Sequence, residues 1–230
     1  YFMGGVLAPL QNVLVIAGPV QSIPESQQKI IKTYIDDGGA ALFMLDGVTI
    51  NPQFMTATST DPSLDGLLNQ YGITLEHHLV YDLRSNETIG FSGGGLRYFL
   101  PYPFWMRVVS GDPSSPITSG IQSVVIPWAS PLSVKETIVN DTQYQVRKIL
   151  ATTPYAGVQS QPFSIAPNAQ FSNQNLASRV IAVALSGKSG SNGPPRFASG
   201  EAGKEIRMIV VGDSELLMDQ FIQNNPENLA

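Results

Sequence analysis

Asn12-Val13-Leu14-Val15-Ile16-Ala17-Gly18-Pro19, then Ser22-Ile23-Pro24-Glu25, then Tyr34-Ile35-Asp36-Asp37-Gly38-Gly39, then Ala40-Ala41-Leu42-Phe43-Met44-Leu45-Asp46-Gly47 are the phrases whose order decides the expected fold class. The first is a short apolar run closed by Gly-Pro and reads as a buried strand and a turn. Ser22 and Glu25 have the S-x-x-E spacing of a capping box, with Pro24 tolerated in a first helical turn. Ile30, Ile31, Tyr34 and Ile35 fall on one face at 3.6-residue spacing, and Gly38-Gly39 supplies a left-handed stop. Residues 40–45 are a second continuous apolar run. Strand, helix, strand is a βαβ unit. Apolar runs without alternation imply burial on both faces, as in a parallel sheet covered by helices.

Working outward, residues 179–185 and 206–211 are strand-like, and the second run ends in Gly212-Asp213-Ser214. A helix carrying Leu216, Leu217, Phe221 and Ile222 is expected there, capped by Asp213 or Ser214. Leu64, Leu67, Leu68 and Tyr71 predict a helix begun near Asp61-Pro62 and stopped by Gly72, and Leu79-Val80-Tyr81 predicts a strand. Residues 90–153 are rich in Pro and aromatics, with short apolar runs, and are expected to form an irregular β-rich insertion packed on the core. Residues 186–203 hold five Gly and two Pro among small polar residues, the composition of a mobile loop. No repeat of fixed period is present.

The composition narrows the function classes. At 230 residues the chain suits one large domain or two small ones, and the strand and helix pattern is read as a single α/β domain. Thirteen Lys+Arg against eighteen Asp+Glu give a net charge of −5, which disfavours nucleic acid, because phosphate binding is driven by clustered cations. The absence of cysteine removes disulfides, thiolate metal sites and Cys nucleophiles. Charged residues make up 13% of the chain, against about 25% in ordinary soluble domains. With abundant Ser, Thr, Gln and Asn, this balance points to an extracytoplasmic setting. Tyr1-Phe2-Met3 lacks the basic start of a signal peptide, and no apolar stretch reaches the ~18–20 residues that span a bilayer. The expectation is a fragment of a larger membrane protein, anchored through segments outside these residues.

Each chemical motif has a bland counterpart. Gly90-Phe91-Ser92-Gly93-Gly94 matches the G-x-S-x-G of a nucleophile elbow, but that order of triad needs a later histidine, and only His77 and His78 exist. A glycine loop is the favoured reading. His77 and His78, adjacent on a strand, point to opposite faces and do not chelate one ion together. Asp46 and Asp213 close buried strands at the carboxyl edge of the expected parallel sheet, where open α/β folds bind ligands, and with Gly18 they make the candidate pocket. Joined by Asp82, they could hold Mg²⁺ or Ca²⁺; the rival reading is a turn at Asp46 and a helix cap at Asp213. Lys188 and Lys204 belong to no phosphate loop, since Ala182 and Ala198 stand where its first glycine is required. Gly93-Gly94-Gly95 does not complete a dinucleotide fingerprint, because Tyr98 takes the last place. Tyr98, Tyr102, Phe104 and Trp105 form either a contact patch or core beneath a long loop.

Further phrases follow the opening ones in order: Leu67-Leu68-Asn69-Gln70-Tyr71-Gly72-Ile73, Val80-Tyr81-Asp82, Pro116-Ile117-Thr118, Pro127-Trp128-Ala129-Ser130-Pro131-Leu132, Leu150-Ala151-Thr152-Thr153 and Ile209-Val210-Val211-Gly212-Asp213-Ser214. Together they resemble the auxiliary-component domain of ABC-type transport systems, a family associated with bacterial gliding motility, and the similarity covers nearly the whole chain. The resemblance implies a three-layer α/β sandwich with a mostly parallel sheet, flavodoxin-like and class I glutamine-amidotransferase-like. Amidotransferases of that type use a Cys nucleophile with a His base. This chain has no Cys and no histidine beyond His78. The expectation is therefore a non-enzyme with no catalytic residue, cofactor or metal. The resemblance further implies a periplasmic domain of an inner-membrane protein that binds a partner subunit, an envelope component or a substrate, beside the membrane permease and ATPase of an ABC-type system. Two alternatives stand: a divergent hydrolase using Ser92 or a carboxylate-bound metal, and a carbohydrate- or peptide-binding envelope module.

Overall fold

The computed structural model describes residues 13–60, 63–110, 116–119, 121, 123–136, 138–139, 144–188 and 204–224. Its first elements follow from the opening phrases. Val13–Ala17 forms β1, Glu25–Asp36 forms α1 and Ala40–Met44 forms β2. β1 and β2 pair in parallel, Val13 opposite Ala40 and Ala17 opposite Met44. α1 buries Ile31, Tyr34 and Ile35 against the sheet, and full burial of an apolar side chain contributes about 1.5–3 kcal/mol. The helix ends at Gly38, whose φ of +92° lets the Gly39 N–H donate to the Tyr34 carbonyl at 2.9 Å. Its start departs from the expected capping box. Pro24 occupies the N-cap, no side chain caps the first turn, and the Pro24 carbonyl instead accepts the N–H groups of Gln27 and Gln28.

The sheet as a whole overturns the expected sandwich. Its order is β1, β2, β14 (Glu205–Val211), β13 (Val180–Lys188), β11 (Gln145–Ala151), β8 (Leu96–Ser110) and β7 (Asn86–Gly93), with β9 (Val124–Pro127) also on β8. Only the β1–β2 and β2–β14 pairings are parallel; all others in this sheet are antiparallel. Antiparallel ribbons join β3 (Val48–Asn51) to β4 (Thr56–Ser59), β5 (Ile73–Leu75) to β10 (Leu132–Val134), and β6 (Leu79–Asp82) to β12 (Ala156–Gln159). Beside α1 there are α2 (Asp65–Gln70), a 3₁₀ turn η1 (Glu215–Leu217) and α3 (Asp219–Asn224). Fourteen strands against three short α-helices among the described residues make a β-rich mixed assembly, not a flavodoxin-like or amidotransferase-like α/β sandwich. A parallel neighbour requires a crossover, usually helical, whereas β7 with β8 and β13 with β14 pair antiparallel to their sequence neighbours.

The two faces of the sheet are covered differently. α1, α2 and the β5–β10 ribbon pack on one, where Leu14, Phe43 and Val210 meet Ile35, Leu68 and Tyr71. Strands meet the other, through Val80 of β6, Ile126 of β9 and Ala156 of β12. β1 lies at the sheet's edge, so Leu14 and Ile16 are buried while Val13 and Val15 remain 61% and 55% exposed. Its unbroken apolar run therefore did not signal burial on both faces.

Residues 90–153, expected as an irregular insertion, instead supply β8, β9 and β11 to the main sheet. Pro101 and Pro103 precede the stretch of β8 that pairs with β9, which begins at Trp105, so they remove no ladder bond there. Gly94 and Gly95, both at positive φ, form the two-residue turn between β7 and β8 that right-twisted strands favour. Gly72, at φ +77°, follows α2 as expected. The proposed helix start at residues 61–62 and the mobile loop from residue 189 onward lie outside the described residues; residues 186–188 belong to β13.

Two glycines test this packing. A Cβ on Gly212 would stand 2.0 Å from the Ser130 carbonyl oxygen, whereas nothing lies within 4 Å of a Cβ on Gly66 in α2. Urea unfolding is expected to show Gly212→Ala destabilised by about 1–3 kcal/mol or more, and Gly66→Ala stabilised by about 0.4–1 kcal/mol.

Candidate functional site

The carboxyl ends of the three parallel strands converge on one spot. Gly18 follows β1, Asp46 lies just past β2, and Asp213 and Ser214 follow β14. Because β1 is the edge strand and β2 and β14 succeed it on one side, the strand order does not reverse here, and the crevice of a topological switch point is not opened. The ends are tied together instead. Asp46 Oδ1 accepts the Ser214 backbone N–H at 2.7 Å, and Oδ2 accepts the Ser214 hydroxyl at 2.5 Å. Gly18, at φ +50°, donates its N–H to the Met44 carbonyl, and a Cβ there would come within 2.8 Å of Ser214 Oγ. Ser130 adds a further tie: its hydroxyl accepts the Gly47 N–H at 3.1 Å, and its own N–H donates to the Gly212 carbonyl at 2.7 Å.

Three carboxyls share this knot. Asp213 is buried, and its Oδ1 accepts the Glu215 N–H at 2.8 Å, while Oδ2 meets no partner. Oε2 of Glu215 is likewise buried and unpartnered. Burial raises Asp46, opposed by the two bonds from Ser214. Asp213 rises well above the usual carboxylate range through burial and the neighbouring Asp46 charge. Burial, with the Asp46 charge beside it, pushes Glu215 up to about 7. A cavity of about 360 Å³ opens at the surface of the knot, lined by Gly18, Asp46, Ser214 and Glu215 with Val48 and Thr60. Asp213 is not part of that lining.

Elsewhere the sequence candidates disperse. Ser92 is exposed on β7 opposite Arg97, in a hairpin ladder with no strand-to-helix turn. His77 Nε2 is 3.1 Å from Asp65 Oδ2 and its Nδ1 is 3.3 Å from the Gly47 carbonyl, which ties α2 to the turn after β2. Burial acts to lower the His77 pKa, but the Asp65 carboxylate and the Gly47 and Thr60 carbonyls outweigh it and raise it overall. Asp82 does not join Asp46: its oxygens accept the N–H groups of Arg84, Ser85 and Thr153 and the Thr153 hydroxyl. Among the described residues no group of three His, Asp or Glu stands ready to hold a metal ion. The aromatic quartet splits, with Tyr102 and Phe104 buried and Tyr98 41% exposed. Glu215 and Ser130 were not singled out from the sequence. The Asp-Ser-Glu run after an apolar strand was the available signal for Glu215, whereas Ser130, far away in the chain, left none.

The family of proteins described as "ABC-type uncharacterized transport system" matches residues 8–229, and the chain belongs to it. It is thus an auxiliary component of an ABC-type transport system, as the resemblance implied, and such a component associates with the rest of the transporter. No curated protein matches. Among solved structures, one described as "mmIFT52 N-terminal domain" superposes with a TM-score of 0.51 at 20% identity, covering 94% of this chain and 73% of that one. At this identity the likeness concerns the fold alone, and it extends over nearly all of the chain.

The carboxyl knot makes stability depend on pH in a defined direction. Glu215 has a folded pKa of about 7 against 4.5 for the free side chain, so its contribution is fully present below 4.5 and is lost as pH rises toward 7. The loss is on the order of 2 kcal/mol, since residual exposure screens part of the shift. In urea unfolding at pH 4.5 and 8, Glu215→Gln is expected to retain more of its stability on going to the higher pH than the parent protein; equal losses would exclude this origin.

Proposed function

We propose that the chain is a non-catalytic, extracytoplasmic binding domain, tethered through membrane segments outside these residues and docked to the permease and ATPase of an ABC-type transport system. It recognises a substrate, an envelope component or a partner subunit while those proteins do the transport. The observation that carries this reading is the family match across residues 8–229. The geometry supports it. Both Asp46 oxygens are occupied by Ser214, so the best-placed carboxylate at the sheet edge is engaged in holding strands together. The low charge content, 13%, supports the extracytoplasmic assignment. Among the described residues no helix is long and apolar enough to cross a membrane.

Affinity purification of the tagged full-length protein from detergent-solubilised membranes is expected to bring down an ATPase and a permease, with the domain degraded by protease added outside the membrane. Recovery free of transporter subunits, or protection from external protease in sealed cells whose envelope is opened to it, would overturn the proposal.

A further inference from the structure

A second concavity, lined from β7 and β8 with Pro52 and Met55 between β3 and β4, has the features of a ligand site. It has a volume of about 540 Å³, in the range of small-molecule pockets, and its walls include Phe91, Tyr102, Trp105 and Trp128, with Glu87 and Thr88 beside them. The two indoles stand nearly perpendicular, 87° apart with centroids 5.5 Å from each other, and so form a corner. That corner is rigidly held. Trp128 Nε1–H donates to the Tyr102 hydroxyl at 3.1 Å, which donates in turn to the Ile165 carbonyl at 2.7 Å. The Trp128 backbone N–H donates to the Phe104 carbonyl at 2.8 Å, with Trp128 itself at φ +48°. A left-handed conformation is costly for a bulky residue, and Met55, which also lines the pocket, adopts one too at φ +50°.

The polar groups define the ligand class. Glu87 Oε1 receives both the Nε and the Nη2 of Arg107, at 2.8 and 2.7 Å, so its charge is largely neutralised while its other oxygen is left to accept. No Lys or Arg lines the pocket among the described residues, which leaves an anionic ligand without a counter-charge. A cationic one would meet an ion pair rather than a bare carboxylate. A neutral ring with apolar C–H faces and a rim of hydroxyls fits these walls: the faces lie on the indoles, and a hydroxyl donates to the second oxygen of Glu87.

From this geometry we infer that the aromatic corner is a binding site for a neutral oligosaccharide. The inference rests on the non-catalytic binding role proposed above and names its ligand class. Trp105 and Trp128 are the only two tryptophans in the chain, so intrinsic emission reports on this pocket alone. Titration with cellotetraose and with chitotetraose is expected to give a saturable emission change with at least one of them, and the sugar is recovered intact by chromatography. Glu87→Ala, which removes the accepting oxygen, weakens binding at least threefold, and Trp128→Ala, its folding checked by thermal melting, at least tenfold. No saturable change up to about 10 mM of either sugar, or saturation only by a Phe-containing tetrapeptide, overturns the site. If transporter subunits still co-purify in that case, the binding-domain reading stands without it. Saturation accompanied by cleavage of the sugar supports the site and overturns the non-catalytic reading.

Discussion

Asp46 accepts two hydrogen bonds from a single residue, Ser214, and these bonds join the ends of β2 and β14. Charge-assisted bonds of this kind are stronger than neutral ones, and in a half-buried setting they strengthen further while raising the cost of leaving any partner unpaired. The same place demands Gly18 and Gly212, where a Cβ would collide with Ser214 or with the Ser130 carbonyl. Three parallel strand ends, the turn after β2 and the segment leading to α3 are therefore set by one small group of polar atoms.

That group also reaches the aromatic region. The segment that starts at Ser214 runs through η1 into α3, where Phe221 packs edge-on against Trp105 at 4.9 Å and Trp128 at 5.9 Å. The position of the corner's outer support thus depends on a loop whose anchor includes three carboxyls with raised pKa values. The second concave surface is lined from β7, β8 and the residue after β9, with Pro52 and Met55 beside them.

The division of labour between the faces explains why a chain with a βαβ opening is not an α/β sandwich. α1 covers only the face formed by Leu14, Ile16, Phe43 and their neighbours. The other face is closed by strands from the middle of the chain, whose aromatic and proline content disguised them as irregular structure. Edge placement of β1 removes any need for a second helical layer over Val13 and Val15.

Local order was legible in the residues themselves. The apolar runs at 13–17 and 40–44, the helix face of Ile31, Tyr34 and Ile35, and the glycine stops at Gly38 and Gly72 all depend on interactions within a few positions, which spacing and conformational preference control. Asp46 and Asp213 could be singled out for the same reason, since each ends an apolar run. Strand neighbours and directions were set only by tertiary structure, because an apolar run suits a parallel or an antiparallel partner equally, and burial on one face or two depends on what else the chain brings there. Glu215 and Ser130 at the knot, and the meeting of Trp105 with Trp128, come from residues far apart in sequence. Their chemistry exists only once the folded chain removes water from between them.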